Sequence, residues 1–153
     1  MDREKANASV VAMWNGIGWL LIKRSKDLRS YPNKWAFPGG RIEKDEEPIL
    51  AACREVWEEV GVILNPLDLT QIGYQSDGSK KIFFWICSVG NSEIKINNES
   101  QDWGWFNVDD IIKMDTIPIP DQIIDYMKKI KLENKTNSNK ANNYQVFGED
   151  WMD

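Results

Sequence analysis

Histidine is absent from the chain. Its absence removes the commonest general base near neutral pH and the commonest zinc ligand. Acid, base or metal chemistry must therefore fall to carboxylates, lysine, tyrosine or a metal-bound water. Cysteine is scarce: Cys53 and Cys87 are the two. They could pair on count alone, but the opening residues MDREKANAS lack the basic start and apolar core of a secretory leader. Both are therefore expected to stay as thiols and to act as small core residues. Long apolar runs are missing too. The longest, residues 82–87, is far short of the about 20 residues that a membrane helix takes, so no membrane is expected and the location is expected to be cytoplasmic. A cationic excess is also lacking. The net charge of -5 argues against a protein that grips long nucleic acid through its phosphates, with a local basic patch left open.

What is present is ordinary for a folded chain: 153 residues, 42% apolar and 28% charged, enough for one domain with a substantial core. Residues 9–14 and 19–24 are apolar and aromatic runs separated by a segment that opens with Asn15-Gly16, the strongest short hairpin signal, and are expected to be antiparallel strands. A second pair, residues 69–75 and 81–89, flanks Asp77-Gly78, and residues 103–106 form a further strand. Between the pairs, residues 48–60 are strongly helical. Pro48 suits a first turn, Gly61 suits the position just past the end, and Ile49, Ala52, Cys53, Val56 and Val60 make one buried stripe. A later helix is expected over residues 120–131, with Ile123, Ile124, Met127 and Ile130 inward. The boundaries predicted are one domain over 1–132, then a polar linker and an acidic, aromatic C-terminal tail over 133–153.

Residues 40–62 read GRIEKDEEPILAACREVWEEVGV. Glu55, Glu58 and Glu59 stand three and four apart, so on a helix their carboxylates share a face turned away from the apolar stripe. Like charges so placed repel, and a hard divalent cation would reverse that cost. An oxygen-only ligand set suits magnesium or manganese, which keep positions for water and substrate phosphates. The other reading is a plain solvated helix face.

The segment resembles the Nudix box: Gly, five residues, Glu, seven residues, Arg-Glu-apolar-any-Glu-Glu-any-Gly-apolar. Gly40, Glu46, Arg54, Glu55, Val56, Glu58, Glu59, Gly61 and Val62 fill every defined position, and Phe37-Pro38-Gly39-Gly40 before it also looks like the family. The resemblance covers about residues 8–131. It implies an α/β fold, an α/β/α sandwich with a mixed sheet. It implies Glu58 and Glu59 as the main ligands of Mg2+, or of Mn2+, with Glu55 as third ligand or base and the Gly39 carbonyl as a further oxygen. Arg54, four residues before Glu58, would hold that carboxylate in place. Glu46 would support the loop or a further metal, its plainer role being a charge near the helix N-terminus.

Some members of the family supply a late glutamate as ligand or base, and Glu99, six residues before Trp105, occupies a comparable place; a surface-loop glutamate is the alternative. Arg24 and Arg41 are candidate phosphate clamps, as is Lys23, or else surface charges. Trp35 is a candidate to stack on a base, along with Trp14, Trp19, Phe84, Trp85 and Trp105, of which strand alternation sends half inward.

The implied activity is hydrolysis of a pyrophosphate bond in a nucleoside diphosphate derivative. Markers of the ADP-ribose and dinucleoside polyphosphate subgroups are missing, so the MutT-type triphosphate hydrolases are the best match. The asparagine that reads oxidised guanine there is not visible, since the corresponding region reads TIPIPDQ. A hydrolase of a nucleotide sugar, dinucleotide or capped RNA is the alternative, and a silent nucleotide sensor the third. The partner implied is a small-molecule nucleotide, and a homodimer is compatible with the family.

Overall fold

The computed structural model describes residues 7–76 and 80–137. Seven strands and three α-helices follow in order: β1 Ala8–Trp14, β2 Trp19–Arg24, β3 Trp35–Ala36, β4 Gly39–Arg41, α1 Pro48–Val60, β5 Thr70–Ser76, β6 Lys81–Ser88, β7 Ser100–Phe106, α2 Val108–Lys113 and α3 Asp121–Asn137. A short 3-10 turn, Pro66–Asp68, precedes β5.

The first hairpin turns as its sequence predicts. The side-chain oxygen of Asn15 accepts from the amides of Ile17 (2.9 Å) and Gly18 (2.8 Å), and Gly16 takes φ 99. The strands then part after a single pair, Trp14↔Trp19. β1 runs parallel to β6 over all seven of its residues, from Ala8↔Ile82 to Trp14↔Ser88, while β2 runs antiparallel to β7. β4 lies against the start of β1, with Ser9 opposite Gly40, and β3 against the end of β2. One parallel pairing among antiparallel ones makes the sheet mixed, as expected. β5 and β6 pair antiparallel, with a register shift between Gln71 and Gly73. The Asp77-Gly78 turn lies outside the described residues.

Helices cover both faces of this sheet, which is why β1, β2 and β6 read as unbroken apolar runs. Alternate side chains go to opposite layers. Val11, Met13, Leu20, Ile22, Trp85 and Cys87 pack with Ala52, Val56 and Val60 of α1. Ala12, Trp14, Trp19, Leu21, Phe84 and Ile86 pack with Ile111 of α2 and Ile123, Met127 and Ile130 of α3. The result is the α/β/α sandwich. Trp14 and Trp19 sit in the second layer with ring centroids 4.8 Å apart, so neither is available to a ligand.

α1 has the predicted bounds. Gly61 takes φ 73 past its end and donates to the Trp57 carbonyl. Ile49 and Cys53 are partly buried at the edge of the stripe formed by Ala52, Val56 and Val60, and Ala51, off that stripe, is fully covered as well. α3 continues past Leu132 to Asn137, five residues into the stretch predicted as linker, because that polar segment contains no proline or glycine to stop it. The remainder of the predicted tail, 138–153, lies outside the described residues. α2 was not predicted, although its signal is present: Asn107 caps it by accepting from the Asp110 amide at 2.8 Å. Among the described residues, no helix is long and apolar enough to cross a membrane.

Candidate active site

The acidic face of α1 lies off its apolar stripe and toward β4, where Glu59 meets Gly39 and Glu55 lies against Gly40, and a loop folds back over the helix. Asp45 adopts a left-handed φ of 64, and the Glu46 amide donates to the Glu43 carbonyl at 3.0 Å. This turn brings Glu46 onto Arg54. The guanidinium donates through Nε to Glu46 Oε2 (2.9 Å) and through Nη2 to Glu46 Oε1 (3.1 Å), a two-pronged pairing. Nη2 also reaches the Arg41 carbonyl (2.9 Å), while Nη1 donates to Glu55 Oε2 (3.0 Å) and Glu58 Oε1 (3.2 Å). Arg54 thus reaches Glu58 as the four-residue spacing predicts, and it also holds Glu55 and Glu46. Its grip keeps the Glu46 carboxyl below the usual carboxylate range.

Glu59 points to the loop instead, its Oε1 accepting from the Gly39 amide at 2.8 Å. Burial pushes its carboxyl up to about 8, and the nearby charges of Glu55 and Glu99 add to the rise; the Gly39 amide and Arg24 oppose it. Burial likewise lifts the Glu55 carboxyl, against the pull of Arg54 and with repulsion from Glu58 and Glu99. Glu99 is therefore close enough to repel both. Two contacts carry it there: the Ser25 amide donates to the Glu99 carbonyl (2.9 Å), and Asn97 joins this loop to α1 by donating to the Glu58 carbonyl (2.9 Å).

The arrangement is an uncompensated excess of negative charge in partly dry surroundings, which a hard cation would relieve. Glu55, Glu58, Glu59 and Glu99 are all oxygen donors, and a carbonyl oxygen at Gly39 would complete such a set. Among the described residues, no three acidic side chains converge into a closed cage. Glu58 and Glu55 face Arg54 and would have to turn to bind metal. The donor chemistry fits magnesium, and the open geometry matches a site that shares its ion with substrate phosphates. Gly40 makes room for it: a Cβ there would lie 2.5 Å from Cδ of Glu55.

A cleft of about 560 Å3 opens beside these glycines. Gly39, Gly40, Arg24 and Arg41 line one end; the glutamates of α1 and Glu99 are not among the lining residues, and Glu59 and Glu55 adjoin the cleft through the two glycines. Arg24 is steadied by donating from Nε (3.1 Å) and Nη2 (2.8 Å) to the Ser30 carbonyl. Phe37, Ile82, Phe84, Gln75 and residues 117–119 line the rest. Trp35 is not among the lining residues. Its ring packs edge-on to Phe106 at 5.2 Å, in the layer beneath α3, because its short strand is bound on both sides, to Lys23 and to the chain around Thr116. Of the aromatics singled out from sequence, Phe84 alone lines the cleft. Tyr31 and Phe37 do so as well and were missed. Tyr31 has φ 50, rare for a bulky residue, in a loop whose sequence carries no periodic signal.

Known proteins share this framework. The Nucleoside triphosphatase NudI of Escherichia coli O139:H28 is 32% identical over 114 residues, covering 66% of this chain and 81% of that protein. The solved MutT protein of Methanosarcina mazei Go1 superposes with a TM-score of 0.63 at 28% identity, over 85% of this chain and 95% of that one. A Caenorhabditis elegans Ap4A hydrolase complex shares the fold, with a TM-score of 0.63 at 21% identity over 82% and 96% of the two chains. The NUDIX domain model matches residues 3–127, a span that contains the whole sheet, the start of α3, the Arg54 network and the acidic face of α1 together. With its box complete and its fold shared, the chain belongs to the Nudix family of pyrophosphohydrolases.

Proposed function

We propose that the chain hydrolyses a nucleoside triphosphate, ribo or deoxy, to the monophosphate and pyrophosphate with magnesium as cofactor. One observation carries this reading: Glu59 accepts from Gly39 and Glu55 lies against Gly40, and these two glycines line the arginine-bearing end of a cleft whose other end is mostly apolar. A phosphate chain fits the first end and a base the second. The likeness to a protein named as a nucleoside triphosphatase supports it.

Glu58, Glu59 and the Gly39 carbonyl would hold the ion, with Glu99 as a further oxygen. When bound, magnesium acidifies water and offsets the charge that builds on the phosphate oxygens. The residues of the chain do the remainder. Arg24 and Arg41 orient the phosphates, and Arg54 positions Glu55 and Glu58 without touching substrate. Glu55, whose burial already favours proton uptake, takes the proton of the attacking water. The water oxygen bonds to phosphorus, the bridging P–O bond breaks, and pyrophosphate leaves with its electron pair.

Product analysis with magnesium over nucleoside triphosphates, nucleotide sugars, dinucleotides and capped RNA tests this. Monophosphate plus pyrophosphate is expected from a triphosphate. Turnover of a bridged substrate alone would replace the reading with the second class. In Glu59→Gln the rate is expected to fall on the order of a hundredfold or more, the scale on which single electrostatic groups at a reaction centre act. A rate near that of the unaltered chain would remove Glu59 from the site.

A further inference from the structure

The register of the sheet lays out the floor of the cleft. Gly39 stands opposite Val10, Val10 opposite Phe84, and Ala8 opposite Ile82. Ile82 in turn stands opposite Gln75 on β5. Residues paired across strands share a face, so Arg41, Ala8, Ile82 and Gln75 form one row across β4, β1, β6 and β5. Three strand spacings, about 14 Å in all, separate Arg41 from Gln75. The phosphate end and Gln75 are thus at opposite ends of the same floor.

At that far end the lining includes the apolar Ile82, Phe84 and Ile119 together with Lys80, which has a partner of its own. Asn7 is already engaged, its Oδ1 accepting from the Lys81 amide at 3.0 Å. Gln75 is exposed where it lines the cleft, and its carboxamide makes no hydrogen bond to another described residue. A polar group with both a donor and an acceptor, set beside apolar walls, is the arrangement by which a pocket fixes the orientation of a flat heterocycle.

We infer that Gln75 is the specificity-determining residue of the cleft, reading with its carboxamide a donor–acceptor edge of the nucleobase. This rests on the proposed triphosphatase reading. The ligand class is a base that presents a donor and an acceptor side by side, and the carboxamide can pair with such an edge through two hydrogen bonds. A carboxylate at the same place would only accept, and would therefore favour bases that offer an exocyclic amino group.

The test compares kcat/KM for dATP, dCTP, dGTP and dTTP in the unaltered chain, Gln75→Leu and Gln75→Glu, with the melting temperature of each recorded. The unaltered chain is expected to prefer one base. Gln75→Leu is expected to lose that preference by roughly tenfold or more, mainly through KM. Gln75→Glu is expected to shift the ranking away from dTTP, whose base is the one of the four without an exocyclic amino group. Equilibrium binding of the four nucleoside monophosphates gives the same comparison without turnover. If the binding ratios and the kcat/KM ratios are unmoved in both variants, Gln75 is not the reader. If no triphosphate is turned over while the monophosphate ratios still move, the triphosphatase reading fails and Gln75 keeps its role.

Discussion

Gly39 and Gly40 are neighbours in sequence, yet the atoms facing them are of different kinds. A Cβ at Gly39 would meet the main chain of β1, including Val10 Cα at 2.5 Å, and a strand backbone has nowhere to go. A Cβ at Gly40 would meet only the far end of the Glu55 side chain, which can swing aside. Gly39→Ala is therefore expected to cost about 3 kcal/mol of stability through overpacking. Gly40→Ala is expected to leave the melting temperature nearly unchanged while lowering kcat, because Glu55 is pushed off Arg54. Thermal unfolding and steady-state rates on the two variants check the contrast; equal losses of stability in both would contradict it. The residues that could be read from sequence were those whose spacing on one helix fixes their neighbours, such as Arg54 and Glu58. The pairing of Glu46 with Arg54 was not legible, since it depends on a left-handed Asp45 that folds the loop back. That Trp35 packs on Phe106 and is not among the residues lining the cleft was not legible either, because composition cannot say which side of a two-residue strand faces a cleft.

At the scale of elements, the acidic face works only if α1 keeps its height over the sheet, and one buried hydroxyl contributes to that. Ser9 is fully buried, donates to the Pro48 carbonyl at the start of α1 (2.7 Å), and accepts from the Trp85 indole at 3.2 Å. Removing it would leave a buried indole N–H without its partner and unfasten the first turn of the helix. Ser9→Ala is expected to cost about 1–3 kcal/mol, the desolvation penalty of an unsatisfied buried donor, and Ser9→Thr less. Denaturant titration checks this, and an alanine variant as stable as the unaltered chain would show that the two hydrogen bonds contribute nothing net. α1 itself was legible in full because proline, apolar stripe and glycine agree on its bounds. β3 and β4 were not, being two and three residues long and defined by the strands beside them. The hairpin of β1 and β2 was legible as a turn, whereas the exchange of partners that sends β1 to β6 and β2 to β7 depends on chain segments far apart.

For the molecule as a whole, the same burial that prepares the site makes stability depend on pH and on metal. In the metal-free fold the Glu59 carboxyl is pushed up to about 8, from an ordinary value of 4.5. Between those two values the folded chain keeps a proton that the unfolded chain has released. Where the native state binds the extra proton, stability falls as pH rises. The contribution is fully present below the unfolded value and is lost through about pH 8. Glu55 shifts in the same direction. Glu46 shifts the other way, so its pairing with Arg54 contributes at neutral pH and is lost as the carboxyl protonates in acid. The metal-free protein is therefore expected to be most stable in weak acid and to lose melting temperature between about pH 5 and pH 8. Glu59→Gln, which keeps the hydrogen-bonding shape without a titrating proton, is expected to flatten that decline. Magnesium is expected to restore stability at the alkaline end, where the carboxylates it needs are ionised, and to release protons when it binds at neutral pH. Melting curves in chelator and in magnesium, taken across this range on the unaltered chain and on Glu59→Gln, separate these effects. An unchanged slope in the variant would move the pH dependence away from Glu59, and a decline that magnesium leaves untouched would mean that the acidic face of α1 is not where the ion binds.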